Sequence, residues 1–245
     1  WWSGTISSFG DWATLFGSVA LASYLGTEAG NSELTAIVPL IARIVPALLS
    51  SFAGLIADRY DKKIIMIFCD VIRMIFVMFL FFADNLYSIF LINFLSEIFS
   101  LIRQPSREAV VPEIVNKENL VKANSLFAIG TYATLPVASL ALGVVSDWNS
   151  LELINETGNG WSGSIIFLFD TFTFMASAIL LYFLKNQNKN TLNKKPDVSF
   201  KNFKDGLDYF FKTKDIRNIS FSISFCLIGA GTLFILGHTF LTVDL

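Results

Sequence analysis

Charge is scarce in this sequence, and so are the residues of metal and redox chemistry. Only 16% of the 245 residues are Asp, Glu, Lys or Arg, against 53% hydrophobic. A soluble domain of this length cannot cover so much apolar surface with so few charges. The composition therefore implies an integral membrane protein. The single histidine, His238, excludes multi-histidine zinc or haem chemistry in this stretch. The two cysteines, Cys69 and Cys226, lie far apart inside apolar runs and suggest neither a disulfide framework nor a metal site. A net charge of −2 supplies no basic footprint for nucleic acid. The basic segments hold no nucleophile–base pair, metal cluster or phosphate-cradling glycine loop, so an enzyme is not expected and no cofactor is implied. No cleavable signal peptide is visible in these residues: the first apolar run is followed by others, which fits a membrane anchor rather than a secretory signal.

Apolar length is abundant. Phe alone occurs 25 times. Seven stretches approach the roughly 20 residues that a spanning helix needs: about 8–26, 34–57, 64–83, 86–102, 123–146, 162–184 and 219–241. Their connections alternate in character. Those after the first, third and fifth stretches contain no Lys or Arg. The one after the second has Arg59, Lys62 and Lys63, and the one after the fourth has Arg103, Arg107, Lys117 and Lys122. The longest, 185–218, carries nine basic residues from Lys185 to Arg217. Basic loops stay on the cytoplasmic side, which puts the start of the chain there too, in a multi-pass protein of the cell (inner) membrane. Trp148 and Trp161 then fall at the outer interface, where amphipathic rings prefer to sit.

Three segments follow from this pattern: a six-helix transmembrane half-bundle over 1–184, a cytoplasmic linker over 185–218, and a seventh transmembrane helix over 219–245. In the linker, 186–196 is rich in Asn and Lys, whereas Phe200, Phe203, Leu207, Phe210 and Phe211 recur at helical spacing among lysines. That spacing fits an amphipathic helix on the inner membrane surface, or equally a loop helix packed on the bundle. The chain opens on Trp1 rather than Met and stops at Leu245 within or just after an apolar run. We read it as a fragment.

The turn between the second and third stretches is the most distinctive. Gly54, one helical turn, Asp58-Arg59, then Lys62-Lys63 are wedged between two runs of spanning length. Six spans, a long cytoplasmic connection and a further span resemble the layout of the major facilitator superfamily. The Gly54-x-x-x-Asp58-Arg59-x-x-Lys62-Lys63 turn resembles its signature between the second and third helices, with Asp61 where the usual pattern has Gly. That Asp resembles the drug:proton antiporter branch, which includes macrolide and enterobactin exporters. Further stretches fit the same branch: Phe9-Gly10-Asp11-Trp12, Arg43-x-x-Pro46, Asp70-x-x-Arg73, Pro105-Ser106-Arg107 through Ala123-Asn124-Ser125, Phe169-Asp170, and Lys204-Asp205-Gly206. Two elements depart from it. Around Leu135-Pro136 only the proline and small neighbours of a Gly-Pro-x-x-Gly-Gly element remain, and the fourth helix lacks the usual Arg near its start. The resemblance covers the first half of such a transporter, so it implies an all-α six-helix N-terminal half of a major facilitator bundle plus a seventh helix. It also implies that a C-terminal half of the same chain completes the path.

The resemblance gives the signature turn a role as a conformational latch: Asp58 and Arg59, with Gly54, Lys62 and Lys63, would hold the two halves together on the cytoplasmic side. The plain alternative is a topology marker with no moving part. Gly54 would let a neighbouring helix approach closely. Charges inside spans are costly and by default point to function. The candidates are Glu97, Asp11, Arg43, Asp70, Arg73 and Asp170. Asp70 and Arg73 are three residues apart on one helix and can pair directly, orienting the third helix. Arg43 and Asp170 fall at similar depth and could pair across helices. Pro39 and Pro46 flank Arg43 and would kink its helix. Glu97 has no basic residue one turn away, Arg103 being six residues on. It is the best single proton-carrier candidate, with a hydrogen-bonded structural Glu as the alternative. A lone His238 is more simply structural. Phe16, Phe94 and Phe99 could line a greasy pocket.

The function expected is secondary active transport: efflux of an amphipathic small molecule by alternating access, driven by a proton gradient. The lipid bilayer and the C-terminal half are its partners. A lysophospholipid flippase is the alternative within transport. A non-transporting membrane sensor or scaffold with the same fold is the alternative outside it.

Overall fold

The computed structural model describes residues 1–28, 35, 37–47, 53–54, 60–146, 161–184, 211–222 and 225. Asp58, Arg59, His238 and most of the expected seventh span lie outside these residues. The chain divides into two units, Trp1–Pro196 and Asp197–Leu245. In the second, residues 214–222 are helical.

Regular structure in the first unit is helical throughout the described residues: α1 (Trp2–Glu28), α2 (Val38–Ala47), α3 (Lys62–Leu80), α4 (Leu86–Ile114), α5 (Leu120–Tyr132), α6 (Thr134–Ser146) and α7 (Ile165–Phe183). Three helical stretches among them are long and apolar enough to cross a membrane: Leu86–Pro112, Lys117–Val145 and Ile165–Phe183. The first six expected spans each overlap described helix, with three differences.

The fourth stretch does not end at 102. Helix α4 runs on through Pro105 and Pro112 to Ile114. A proline inside a helix frees carbonyls one turn back, and in a membrane helix nearby side chains satisfy them. Next to Pro105, the Ser106 hydroxyl also donates to the Ile102 carbonyl at 3.2 Å, an i−4 back-bond within the helix. Arg103 and Arg107 are therefore helix residues, not loop residues. Second, the fifth stretch is broken at Ala133. Pro136 has no N–H for the Tyr132 carbonyl and its ring crowds that carbonyl, so the helix cannot run straight through. Third, α3 begins at Lys62 because Asp61 caps it. The Asp61 carboxylate accepts from Lys63 N at 2.9 Å and Ile64 N at 3.3 Å. An Asp at this point of the signature turn satisfies two of the helix's orphan donors, which a Gly could not do.

Helix α1 packs against α7 and α6, α3 packs against α4 and α7, and α2 against α4. The core gathers Ala13, Phe16, Leu21, Val77, Leu80, Ile89, Phe167 and Phe174. On α3 the buried set Ile65, Met66, Cys69, Asp70, Arg73, Val77 and Leu80 follows helical spacing. Phe68, Ile75, Met78 and Phe79 are exposed on the other face, as lipid-facing side chains should be. Gly10 and Gly17, two turns apart on α1, set the α1–α7 approach. A Cβ at Gly10 would collide with the Asp170 carboxylate and the Thr173 hydroxyl, and one at Gly17 would press on Ile166 at 2.8 Å. Small residues at a crossing allow this proximity. The close approach expected at Gly54 is not made among the described residues: a Cβ there meets nothing within 4 Å.

Candidate functional site

The close crossing of α1 and α7, with α3 beside it, holds a seam of charge. Arg73 of α3 forms an ion pair with Asp11 of α1 and lies 4.4 Å from the centre of the Phe174 ring on α7. Asp70, one turn back on α3, is fully buried. Arg103 Nε of α4 lies 2.5 Å from its Oδ1, and the Ser177 hydroxyl of α7 donates to its Oδ2 at 2.7 Å. Arg103 Nη2 reaches both Asp70 Oδ2 and Ser177 Oγ at 3.3 Å. Arg43 of α2 and Glu97 of α4 form a longer pair at 4.0 Å.

Three expectations change. Asp70 and Arg73 do not pair with each other along the helix: each turns to a neighbouring helix, where a cation or carboxylate meets it more directly. Glu97 does have a basic partner, supplied across a helix contact by Arg43 rather than along its own sequence. Arg43 therefore does not pair with Asp170.

Asp170 is held differently. Its side chain is fully buried. Thr14 of α1 donates a hydrogen bond to Oδ2, and the Thr173 hydroxyl lies 2.7 Å from Oδ1. No described Lys or Arg forms an ion pair with it. Thr14, Thr173, Ser177 and Arg103 were missed from the sequence. A signal was present: Gly10, Thr14 and Ser18 on α1, and Asp170, Thr173 and Ser177 on α7, recur at three- and four-residue spacing. Such a stripe of small polar residues marks a helix–helix seam.

Lys63, expected in the latch, is committed within this half. Its Nζ donates to the carbonyls of Tyr182 at 2.8 Å and Leu184 at 2.6 Å, at the end of α7. Free carbonyls at a helix C-terminus carry partial negative charge and attract a cation.

Arg107 is also set apart. It donates to Thr131 at 3.1 Å and stacks over Phe127, with 5.2 Å to the ring centre. No carboxylate among the described residues forms an ion pair with it. It lines a cavity of about 440 Å³ whose other walls include Trp2, Met66, Val110, Phe127 and Leu180, with Arg103 nearby. Phe16, Phe94 and Phe99 do not line it. Phe16 is core, Phe94 stacks on Phe90, and Phe99 meets Phe68 and Phe76.

The family model described as Major Facilitator Superfamily matches residues 1–244. Curated proteins similar to the chain carry the name lysophospholipid transporter LplT. That of Escherichia coli (strain SE11) is 27% identical over 161 residues, 66% of this chain and 39% of that protein. That of Pectobacterium carotovorum subsp. carotovorum (strain PC1) is 30% identical over 143 residues, 58% of this chain and 34% of that protein. That of Cronobacter sakazakii (strain ATCC BAA-894) is 26% identical over 160 residues, 65% of this chain and 39% of that protein. The matched region amounts to less than half the length of these relatives. No solved structure gives a significant match.

Proposed function

Since the chain belongs to the Major Facilitator Superfamily, we propose that it supplies the N-terminal half of a secondary transporter that carries a lysophospholipid-like amphiphile across the cell membrane. The N-terminus is cytoplasmic, and a C-terminal half completes the path. Cargo binds between the halves and access alternates by rocking. A proton gradient drives the cycle. Asp58 and Arg59 act as the cytoplasmic latch, and Lys63 ties their turn to the end of α7.

The observation that carries the cargo reading is the apolar cavity with Arg107 at its wall. An acyl chain needs apolar walls, and a phosphate needs a cation not already neutralised. Charge-assisted hydrogen bonds from a guanidinium to phosphate are among the stronger polar contacts. The names of the relatives support the same cargo and favour it over the drug:proton antiporters that the signature turn resembles.

The test is translocation of a labelled lysophospholipid by the intact protein in proteoliposomes. Replacing Arg107 by Met lowers the rate about tenfold or more, since a hydrogen bond to a charged group is worth roughly 1.5–3 kcal/mol. A phosphate-free monoacylglycerol moves slowly and is insensitive to the change. Equal transport of both lipids, or movement of lipophilic drugs alone, would overturn the cargo reading.

A further inference from the structure

Among the described residues, the carboxylates within the helices of the charged seam meet a guanidinium, with one exception. Asp11 has Arg73, Asp70 has Arg103 and Glu97 has Arg43. Asp170 has hydroxyls only. We propose that Asp170 is the proton-binding site of this protein, and that Thr14 and Thr173 form the cradle that lets it hold or release the proton.

The cradle is suited to both states. A hydroxyl is donor and acceptor at once, whereas a guanidinium can only donate. With Asp170 ionised, Thr14 donates to Oδ2 and Thr173 to Oδ1. With Asp170 protonated, its own Oδ2–H donates to the Thr14 oxygen, and the Thr14 proton turns to the carbonyl one turn back on its helix, as threonines in helices do. Thr173 has a second acceptor ready, the Asp170 main-chain carbonyl at 2.9 Å. Neither state leaves a buried polar atom without a partner, so neither carries the full penalty of an orphaned group. Asp70 differs: besides the Ser177 hydroxyl it meets the Arg103 guanidinium, a fixed cation that favours the ionised form and cannot accept a hydrogen bond from the protonated one. Proton uptake forms one O–H bond and breaks none within the protein, and the proton comes from water on the side to which the site opens.

The surroundings make the proton consequential. From the elements packed against Asp170, the charged groups facing it are Asp11 on α1 and Arg73 on α3. No titratable side chain is found among the described residues of α6 or of the short turn before α7. With Asp170 neutral, Arg73 and Asp11 balance. With Asp170 ionised, the buried carboxylate and the part-exposed Asp11 compete for one guanidinium, which favours a shift of α1 against α7. Gly10 lies directly against the Asp170 carboxylate and the Thr173 hydroxyl, so a small shift there changes the cradle directly. Proton occupancy thereby biases the position of α1.

This inference rests on the transporter reading for its role in coupling, but the site itself can be tested apart from cargo. Infrared difference spectra of the intact protein, taken between low and high pH, should contain the C=O band of a protonated carboxylic acid. Asp170→Asn abolishes that band and Glu97→Gln leaves it. Thr14→Val keeps the carboxyl but removes one hydrogen-bond partner, and moves the band to higher frequency. In proteoliposomes, Asp170→Asn also loses stimulation by a proton gradient while gradient-free exchange of lysophospholipid continues. A band that survives in Asp170→Asn, or disappears in Glu97→Gln, overturns the proposal even if lipid is transported. If the band behaves as stated but no lysophospholipid moves in any variant, the proton site stands and the cargo reading falls.

Discussion

Asp70 and Arg103 are each almost completely buried, and each makes the other tolerable. Removing one partner of a buried pair leaves an uncompensated charge and costs roughly 3–5 kcal/mol, whereas replacing both is often close to neutral. Arg103→Met should therefore lower thermal stability in detergent sharply. The Asp70→Asn and Arg103→Met double variant should recover much of the loss, and a double variant worse than the single would show that the pair is not the source of the effect. Glu97 and Arg43, at 4.0 Å and each about one-fifth exposed, should tolerate Glu97→Gln far better. Individual charged residues were legible in the sequence because charge inside an apolar run stands out. Their partners were not. Asp70 and Arg103 are 33 residues apart, and no periodicity states which helices touch. The nearer candidate, Arg73 at three residues, looked sufficient and was already taken by Asp11.

Helices owe their spacing here to what glycine omits. Gly10 admits the Asp170 carboxylate, while Gly143 on α6 has open space where a Cβ would stand. Gly10→Ala should destabilise by about 1–3 kcal/mol, the usual cost of overpacking. Gly143→Ala should be neutral or stabilise by up to about 1 kcal/mol through helix propensity. Melting curves of the two variants in one detergent decide the matter, and equal effects would mean that α1 and α7 do not cross as closely as described. The element boundaries show where sequence reasoning is strong. Asp61 and Asn85 cap α3 and α4, and the starts of those helices were found within two residues. Ends were harder. The fourth stretch reads as ending at 102, where Arg103 opens a run of charged residues that looks like a connection. The helix instead runs on to Ile114, and Arg103 is buried against Asp70.

At the scale of the molecule, the proposed orientation rests on the charge asymmetry between connections. Asn85 and Lys117 are both exposed and lie at opposite ends of α4. In a variant with Cys69 and Cys226 replaced, a cysteine at Asn85 should react with an impermeant maleimide added to intact cells. One at Lys117 should react only after permeabilisation. The reverse pattern would invert the proposed topology. The helical class was legible because apolar length is a long-range, redundant signal. The proposed cradle was legible only in part: Asp170 and Thr173 share a helix at three-residue spacing, but Thr14 lies 156 residues away from Asp170, and no periodicity joins the two until the chain folds.

The contact between Gly10 and Asp170 also constrains how this chain can change over generations. Any side chain at position 10 would claim the space of the carboxylate, so position 10 cannot enlarge while Asp170 stays. Among related sequences, a residue larger than glycine at position 10 should occur only where position 170 has become small and uncharged. Where that exchange has happened, the lineage should also have lost its dependence on the proton. Sequencing relatives thus becomes a functional assay, with one pair of codons as its readout.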